Sequence, residues 1–176
     1  MIHHPTYFVD EFLTEHERVV LQTSPDMLAW VLGVIHEVLA IGIFIHLGAS
    51  SSYALLHWLA YLFAAALTVT LVWQGLSAWY TRYVLTDYRA MRVSGVFGTD
   101  CEWMAWSKVN DVAINRTVAD WVLHTATIRI QSANESSSFA AMKDVPHPLH
   151  FADVITRLVN KRQSRIDVED LPPLRR

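Results

Sequence analysis

Residues 27–47 read MLAWVLGVIHEVLAIGIFIHL, residues 48–52 GASSS, and residues 53–78 YALLHWLAYLFAAALTVTLVWQGLSA. From Met27 to Tyr80 the chain carries one acidic residue, Glu37, and no lysine or arginine. At ~1.5 Å per helical residue the first run covers about 30 Å, the thickness of a hydrocarbon core. The second run is longer and uncharged, and the small residues between the two leave room only for a tight reversal. Backbone polar groups cannot be left bare in lipid. The reading is therefore a transmembrane helical hairpin over 27–80, with helices at 27–47 and 53–78. The competing reading, a buried hairpin in a soluble bundle, lacks other amphipathic helices to cover it.

The rest of the composition fits an anchor with one modest domain. The chain has 176 residues, 52% hydrophobic and 18% charged, against the quarter or so charged that is usual for soluble domains. A net charge of -3, with no basic run interleaved with aromatics, gives no case for nucleic acid as a partner. Cys101 is the single cysteine, so no intrachain disulfide can form. Residues 1–26 hold Asp10, Glu11, Glu15, Glu17 and Asp26 against one Arg18, unlike a secretory signal, and read as a separate N-terminal segment. Trp30, Trp73, Trp79 and Tyr80 fall at one interface of the hairpin, while Tyr53, Trp58 and Tyr61 lie toward the turn. Arg18, Arg82, Arg89 and Arg92 flank the first of these sides and the turn has no basic residue. By the positive-inside rule both termini are expected in the cytoplasm. The sequons at Asn115 and Asn134 would then never meet a glycosylation enzyme.

Polar residues within an apolar span are functional candidates by default. His36 and Glu37 lie near the middle of the first run. Three readings compete: local hydrogen bonding within the hairpin, docking against another protein's transmembrane helix, and a haem or chlorin ligated by His36 or a proton relay through the pair. Small residues mark where helices can approach closely: Gly33 with Ala29 on the first helix, and Ala60, Ala64 and Thr68 on the second. A zinc protease is set aside, because in the run from His36 to Ala40 an alanine stands where H-E-x-x-H needs its second histidine. No other metal set is apparent.

Beyond Tyr80 the periodicity turns from helical to alternating. Strands are expected at 83–86 and 90–94 about a tight turn at Asp87-Tyr88, then at 100–106, 109–115, 126–131 and 136–142. Pro146-His147-Pro148 stops the last strand and opens an amphipathic helix over 150–162, with Phe151, Val154, Ile155, Leu158 and Val159 at helical spacing. The polar tail 163–176, with Pro172-Pro173, is expected to be disordered in isolation. The run Arg82-Tyr-Val-Leu-Thr-Asp-Tyr-Arg89, followed by Arg92-Val-Ser-Gly-Val-Phe97, resembles the "Y-x-L-T-x-x-R … R-x-G-x-F" opening of bacterial pleckstrin-homology-like domains. Residues 106–112, 118–123, 142–148 and 13–20 are similar to further stretches of that family, whose domains commonly follow paired transmembrane helices. One departure is the absence of the family's glycine around His124-Thr125. The resemblance implies an α+β membrane protein in which a PH-like, partly open antiparallel β-barrel over 81–162 is capped by a C-terminal helix. It does not imply a reaction, since this fold mainly binds peptides, lipids or other domains and fold alone does not settle function.

No nucleophile elbow, phosphate loop or dinucleotide fingerprint occurs, and no catalytic residue or bound cofactor is expected. The expected role is a non-enzymatic scaffold or accessory subunit of a larger hetero-oligomeric membrane complex, with a respiratory or photosynthetic assembly as a natural host. Its partners would be integral membrane subunits and lipid. Arg82, Arg89 and Arg92 are the candidate lipid-facing basic residues, and anionic-lipid binding by the PH-like domain is the alternative.

Overall fold

A computed structural model describes residues 7–132 and 141–169. In chain order the elements are α1 (Tyr7–Asp10), β1 (Val19–Thr23), α2 (Met27–Gly33), α3 (Ile35–Ser50), α4 (Ala54–Trp79), β2 (Arg82–Thr86), β3 (Arg89–Ser94), β4 (Asp100–Ala105), β5 (Val109–Asn115), α5 (Val118–Leu123), β6 (Thr125–Ser132), β7 (Met142–Pro146) and α6 (Pro148–Glu169), with a single 3-10 turn at Trp106–Lys108. The strands form two antiparallel sheets, β1-β2-β3-β4 and β5-β6-β7. The fold is thus α+β with a PH-like β domain, but the described strands do not close into a barrel.

β2 is buried along its whole length because both faces of the first sheet are covered. Alternation sends Tyr83 and Leu85 one way and Val84 the other. Tyr83, Leu85, Ala90, Met104 and Trp106 join Ile128, Ile130, Met142, Val145, Phe151 and Ile155 in the core between the sheets and α6. Val84, Met91 and Val93 pack on the opposite face against Val9, Phe12 and Leu13. Trp106 is fully buried and its indole N–H donates to the Thr86 carbonyl at 2.9 Å, which satisfies a polar atom that burial would otherwise leave costly. The β2–β3 turn at Asp87-Tyr88 closes as expected, the Thr86 hydroxyl accepting from the N–H groups of Tyr88 and Arg89.

Four expectations are corrected. The segment 1–26 is not separate, since Val19–Thr23 pairs antiparallel with β2 in the register Thr23↔Tyr83. The first apolar run is not one helix of 27–47: it breaks at Val34 into α2 and α3, bent by 47°, and runs on to Ser50. Gly33, the weakest helix former of that stretch, ends α2. The C-terminal helix continues past residue 162 to Glu169, because no proline or glycine interrupts it before Pro172. The last strand is Met142–Pro146, and positions 136–140 of the run expected there lie outside the described residues. Other expected elements match closely, and the stretch 118–123 that resembles the family forms α5. Its C-cap, His124, adopts the left-handed conformation (φ 57°, ψ 34°) in which helix ends usually place glycine; histidine is the less permissive residue in that role.

α4 is long and apolar enough to cross a membrane by length and composition. α3 packs alongside it, with Phe44 and Phe63 stacked at 5.6 Å. The exposed surfaces of α2, α3 and α4 carry leucine, isoleucine, valine, phenylalanine and tryptophan along their length. This helical arm leaves the domain between β1 and β2.

Candidate functional site

Asp26 caps α2 by accepting from the N–H groups of Leu28 and Ala29 at 2.8 and 3.1 Å. Its own N–H donates to the Asp144 carbonyl of β7, tying the arm's entry to the second sheet. Trp30 then lies over Gly75 of α4, where a Cβ would come within 2.9 Å of the indole. Glycine is needed there for the close approach. Farther along, Gly48 meets the Tyr61 ring, and the Gly48 carbonyl lies 2.8 Å from His57 Nδ1.

The bend at Val34 changes the depth of the polar pair. Glu37 sits in the first turn of α3 and its carboxylate accepts from the Gln74 amide at 3.3 and 3.4 Å. Gln74 is five residues from the end of α4, so the pair stands near the β-domain end of the arm. His36, the candidate haem or chlorin ligand, is exposed on the outside of the same turn. Among the candidate docking residues, Ala60 and Ala64 are buried against α3. Gly33 is open, with nothing within 4 Å of a Cβ, and Thr68 is exposed with its hydroxyl turned back to the Ala64 carbonyl at 2.8 Å. Gln74 was missed by sequence reasoning, although it is the one amide in the second apolar run.

A second constellation ties the N-terminal segment to the β2–β3 turn. The Glu17 side chain, 2% exposed, receives Arg89 Nη2 at 2.8 Å and Nε at 2.9 Å, and the Thr86 hydroxyl at 2.6 Å. Burial alone would push the Glu17 carboxyl up. Hydrogen bonds from Arg89, Thr86 and the Thr14 N–H outweigh it and bring the carboxyl down to about 2. Arg89 is pushed up in turn by its bonds to Glu17. It also donates to the Phe12 carbonyl at 2.8 Å and stands 5.2 Å from the centre of the Trp103 ring. An open cleft lies here, walled by Thr14, His16, Glu17, Tyr88, Arg89 and Trp103.

The three arginines expected to face lipid are engaged within the protein. Arg82 is buried and donates to the carbonyls of Trp79 and Thr81, capping the C-terminus of α4, where a cation is favoured. Arg89 serves Glu17. Arg92 lies 2.9 Å from Glu102. Cys101 is half-buried, and burial raises its thiol pKa first, with Glu17 and Glu102 adding to it. Among the described residues no group of histidine, cysteine and carboxylates could hold a metal ion. Among the described residues the geometry offers contact surfaces and a cleft.

Two antiparallel sheets, a core between them and a C-terminal helix define a pleckstrin-homology-like domain. The family model described as Bacterial PH domain matches residues 29–159, well over half of the chain, and the chain belongs to that family. The match reaches into the helical arm, so the arm is within the family's extent. No curated protein and no solved structure matches the chain.

Proposed function

We propose that the protein is a two-pass, membrane-anchored binding module without catalytic activity of its own. It acts as a scaffold or accessory subunit of a larger bacterial inner-membrane assembly. The pairing of β1 with β2 carries the anchoring part of this reading. Thr23 precedes the arm and Tyr83 follows it, yet they are register partners in one sheet. If α4 crosses a bilayer, the chain between Thr23 and Ala54 has to cross it as well, because its two ends lie on opposite sides. That makes α2 and α3 together the second pass. α4 is 26 residues, ~39 Å, and very little of it is covered by the rest of the chain, which speaks against a soluble core helix. A removable signal is disfavoured, because cleavage after α4 would take β1 out of the sheet.

The basic residues flanking the arm on the domain side, and their absence from 51–53, favour a cytoplasmic β domain. The partner-binding part rests on the exposed apolar length of the arm and on the polar patch at His36, Glu37 and Gln74. Anionic lipid as the main ligand loses support, since Arg82, Arg89 and Arg92 are spent internally.

The test is cysteine accessibility in intact cells on a Cys101→Ser background. Ser52→Cys, in the α3–α4 turn, should react with a membrane-impermeant maleimide from outside. Asn110→Cys, on β5, should react only after permeabilisation. Equal reaction at both sites in intact cells, or release of the protein by alkaline carbonate, would overturn the anchoring. A lone monodisperse species in mild detergent would overturn the assembly role.

A further inference from the structure

α5 is a six-residue helix, Val118-Ala-Asp-Trp-Val-Leu123, held by a capping box in which Thr117 and Asp120 bond each other's backbone. Asp120 is its single charged residue. That carboxylate is turned inward, accepting from the Thr117 N–H and hydroxyl at 2.8 Å each and from the Thr125 hydroxyl at 3.1 Å. The outer surface of the helix is left to Val118, Trp121 and Val122, with Trp121 72% exposed. Scattered apolar side chains on a surface need no explanation, but a helix with an apolar outer face and no polar one does.

Its neighbours supply the explanation. α5 packs beside α2, the base of the arm, whose Leu28, Val31 and Leu32 are exposed too. A second apolar tip stands at the same end of the domain. Phe97, in the β3–β4 loop, is 92% exposed, and its ring lies 5.7 Å from that of Trp73 on α4. Trp73 is six residues before the end of α4, ~9 Å along the axis, so the loop tip reaches more than one turn up the arm. That depth matches the ~5–10 Å to which apolar faces sink at a bilayer boundary, a zone that tryptophan favours. Arg116, exposed beside the start of α5, is suited to a lipid phosphate.

We infer that the β domain itself rests on the lipid interface through two feet, the Val118-Trp121-Val122 face of α5 beside α2 and the Phe97 tip beside α4. The inference rests on the reading that the arm crosses the bilayer. Two feet at the bent base of the arm would fix the domain's orientation to the membrane, leaving the Glu17-Arg89-Trp103 cleft free for a cytoplasmic partner.

The experiment uses the full chain on a Cys101→Ser background, reconstituted in vesicles of phosphatidylcholine with brominated acyl chains. Single cysteines carry a small fluorophore at Val122→Cys, at Gly98→Cys beside Phe97 where a Cβ meets open space, at Leu62→Cys within α4, and at Asn110→Cys as the distant site. The labels at 122 and 98 should lose fluorescence in brominated relative to ordinary vesicles, approaching the loss at 62, while the label at 110 is unchanged. Loss at 62 with none at 122 and 98 would overturn the two-foot seating and leave the anchor standing. No loss at 62 would overturn the anchor and the seating together.

Discussion

Glu17→Gln removes one charge from a carboxylate that accepts from Arg89, Thr86 and the Thr14 N–H. Its folded-state pKa lies near 2, against an ordinary value of 4.5. Each unit corresponds to about 1.4 kcal/mol of preference for the ionised form in the folded state. The shift therefore represents roughly 3 kcal/mol, reduced to about 2–3 kcal/mol because solvent reaches and screens part of Arg89. Leaving the Arg89 guanidinium without its partner charge at a partly buried site gives a cost of similar size. The variant is expected to melt about 5–10 °C lower at neutral pH, at ~2–4 °C per kcal/mol for a chain of this length.

The pH dependence gives the prediction its edge. A carboxyl whose pKa falls on folding contributes stability in full above its unfolded pKa. The contribution is lost as pH drops through the folded pKa. The gap between wild type and Glu17→Gln should thus be constant from neutral pH to about 5, narrow below about 4.5, and nearly close toward about 2. Near-UV circular dichroism melts of the full chain in mild detergent measure it, and a double-mutant cycle with Arg89→Gln isolates the pair. A gap that ignores pH, a neutral-pH cost under about 0.5 kcal/mol, or an additive cycle would refute the reasoning.

Four further substitutions probe packing. Gly95→Ala should cost about 2 kcal/mol or more by thermal melt, because φ is +135° and a Cβ would lie 1.8 Å from the Gly98 carbonyl oxygen, whereas Gly98→Ala should be near neutral. Gly75→Val should drive Trp30 off α4 at about 1–3 kcal/mol, read as a lower melting temperature with a changed tryptophan emission; an unchanged melt would mean α2 does not pack there. Trp106→Phe leaves the Thr86 carbonyl without its 2.9 Å donor and should cost about 2 kcal/mol, measured by denaturant titration.

The sequence was most legible where one periodicity ruled. The helix of the second apolar run, the alternation at Thr125–Ser132 and the spacing of Phe151 and Ile155 each had a single good reading. It was least legible where pairing across long separations decides. Val19–Thr23 is five residues beside a strongly acidic stretch, and nothing local says that its partner lies beyond the arm. The same holds for the site. Arg82, Arg89 and Arg92 read as lipid contacts because their partners, the α4 carbonyls, Glu17 and Glu102, are visible only once the chain is folded. Position along an apolar run also says little about contact: Glu37, counted to the middle of the first run, pairs with Gln74 near the end of α4.

The β1–β2 pairing makes the arm an insertion between the first two strands of the domain it carries, so the domain cannot be cut at the arm's end. A fragment starting at Thr81 keeps β2 to α6 but loses the strand that pairs with β2 and the Val9, Phe12 and Leu13 cover over Val84, Met91 and Val93. It also loses Glu17 from Arg89. Unpaired backbone and bared apolar surface on one sheet face should leave it without a cooperative melt. The remedy follows from the register. Thr23 and Tyr83 are paired neighbours, about 5 Å apart across the ladder, so a short glycine-serine linker can join the β1 segment to β2 in place of the whole arm. Residues 7–25 fused in this way to 81–169 should give a soluble β domain with one sharp transition, while 81–169 alone should not. A cooperative melt of the short fragment at the same temperature as the fusion would show that β1 is dispensable, and with it the pinning of both ends of the arm to one sheet.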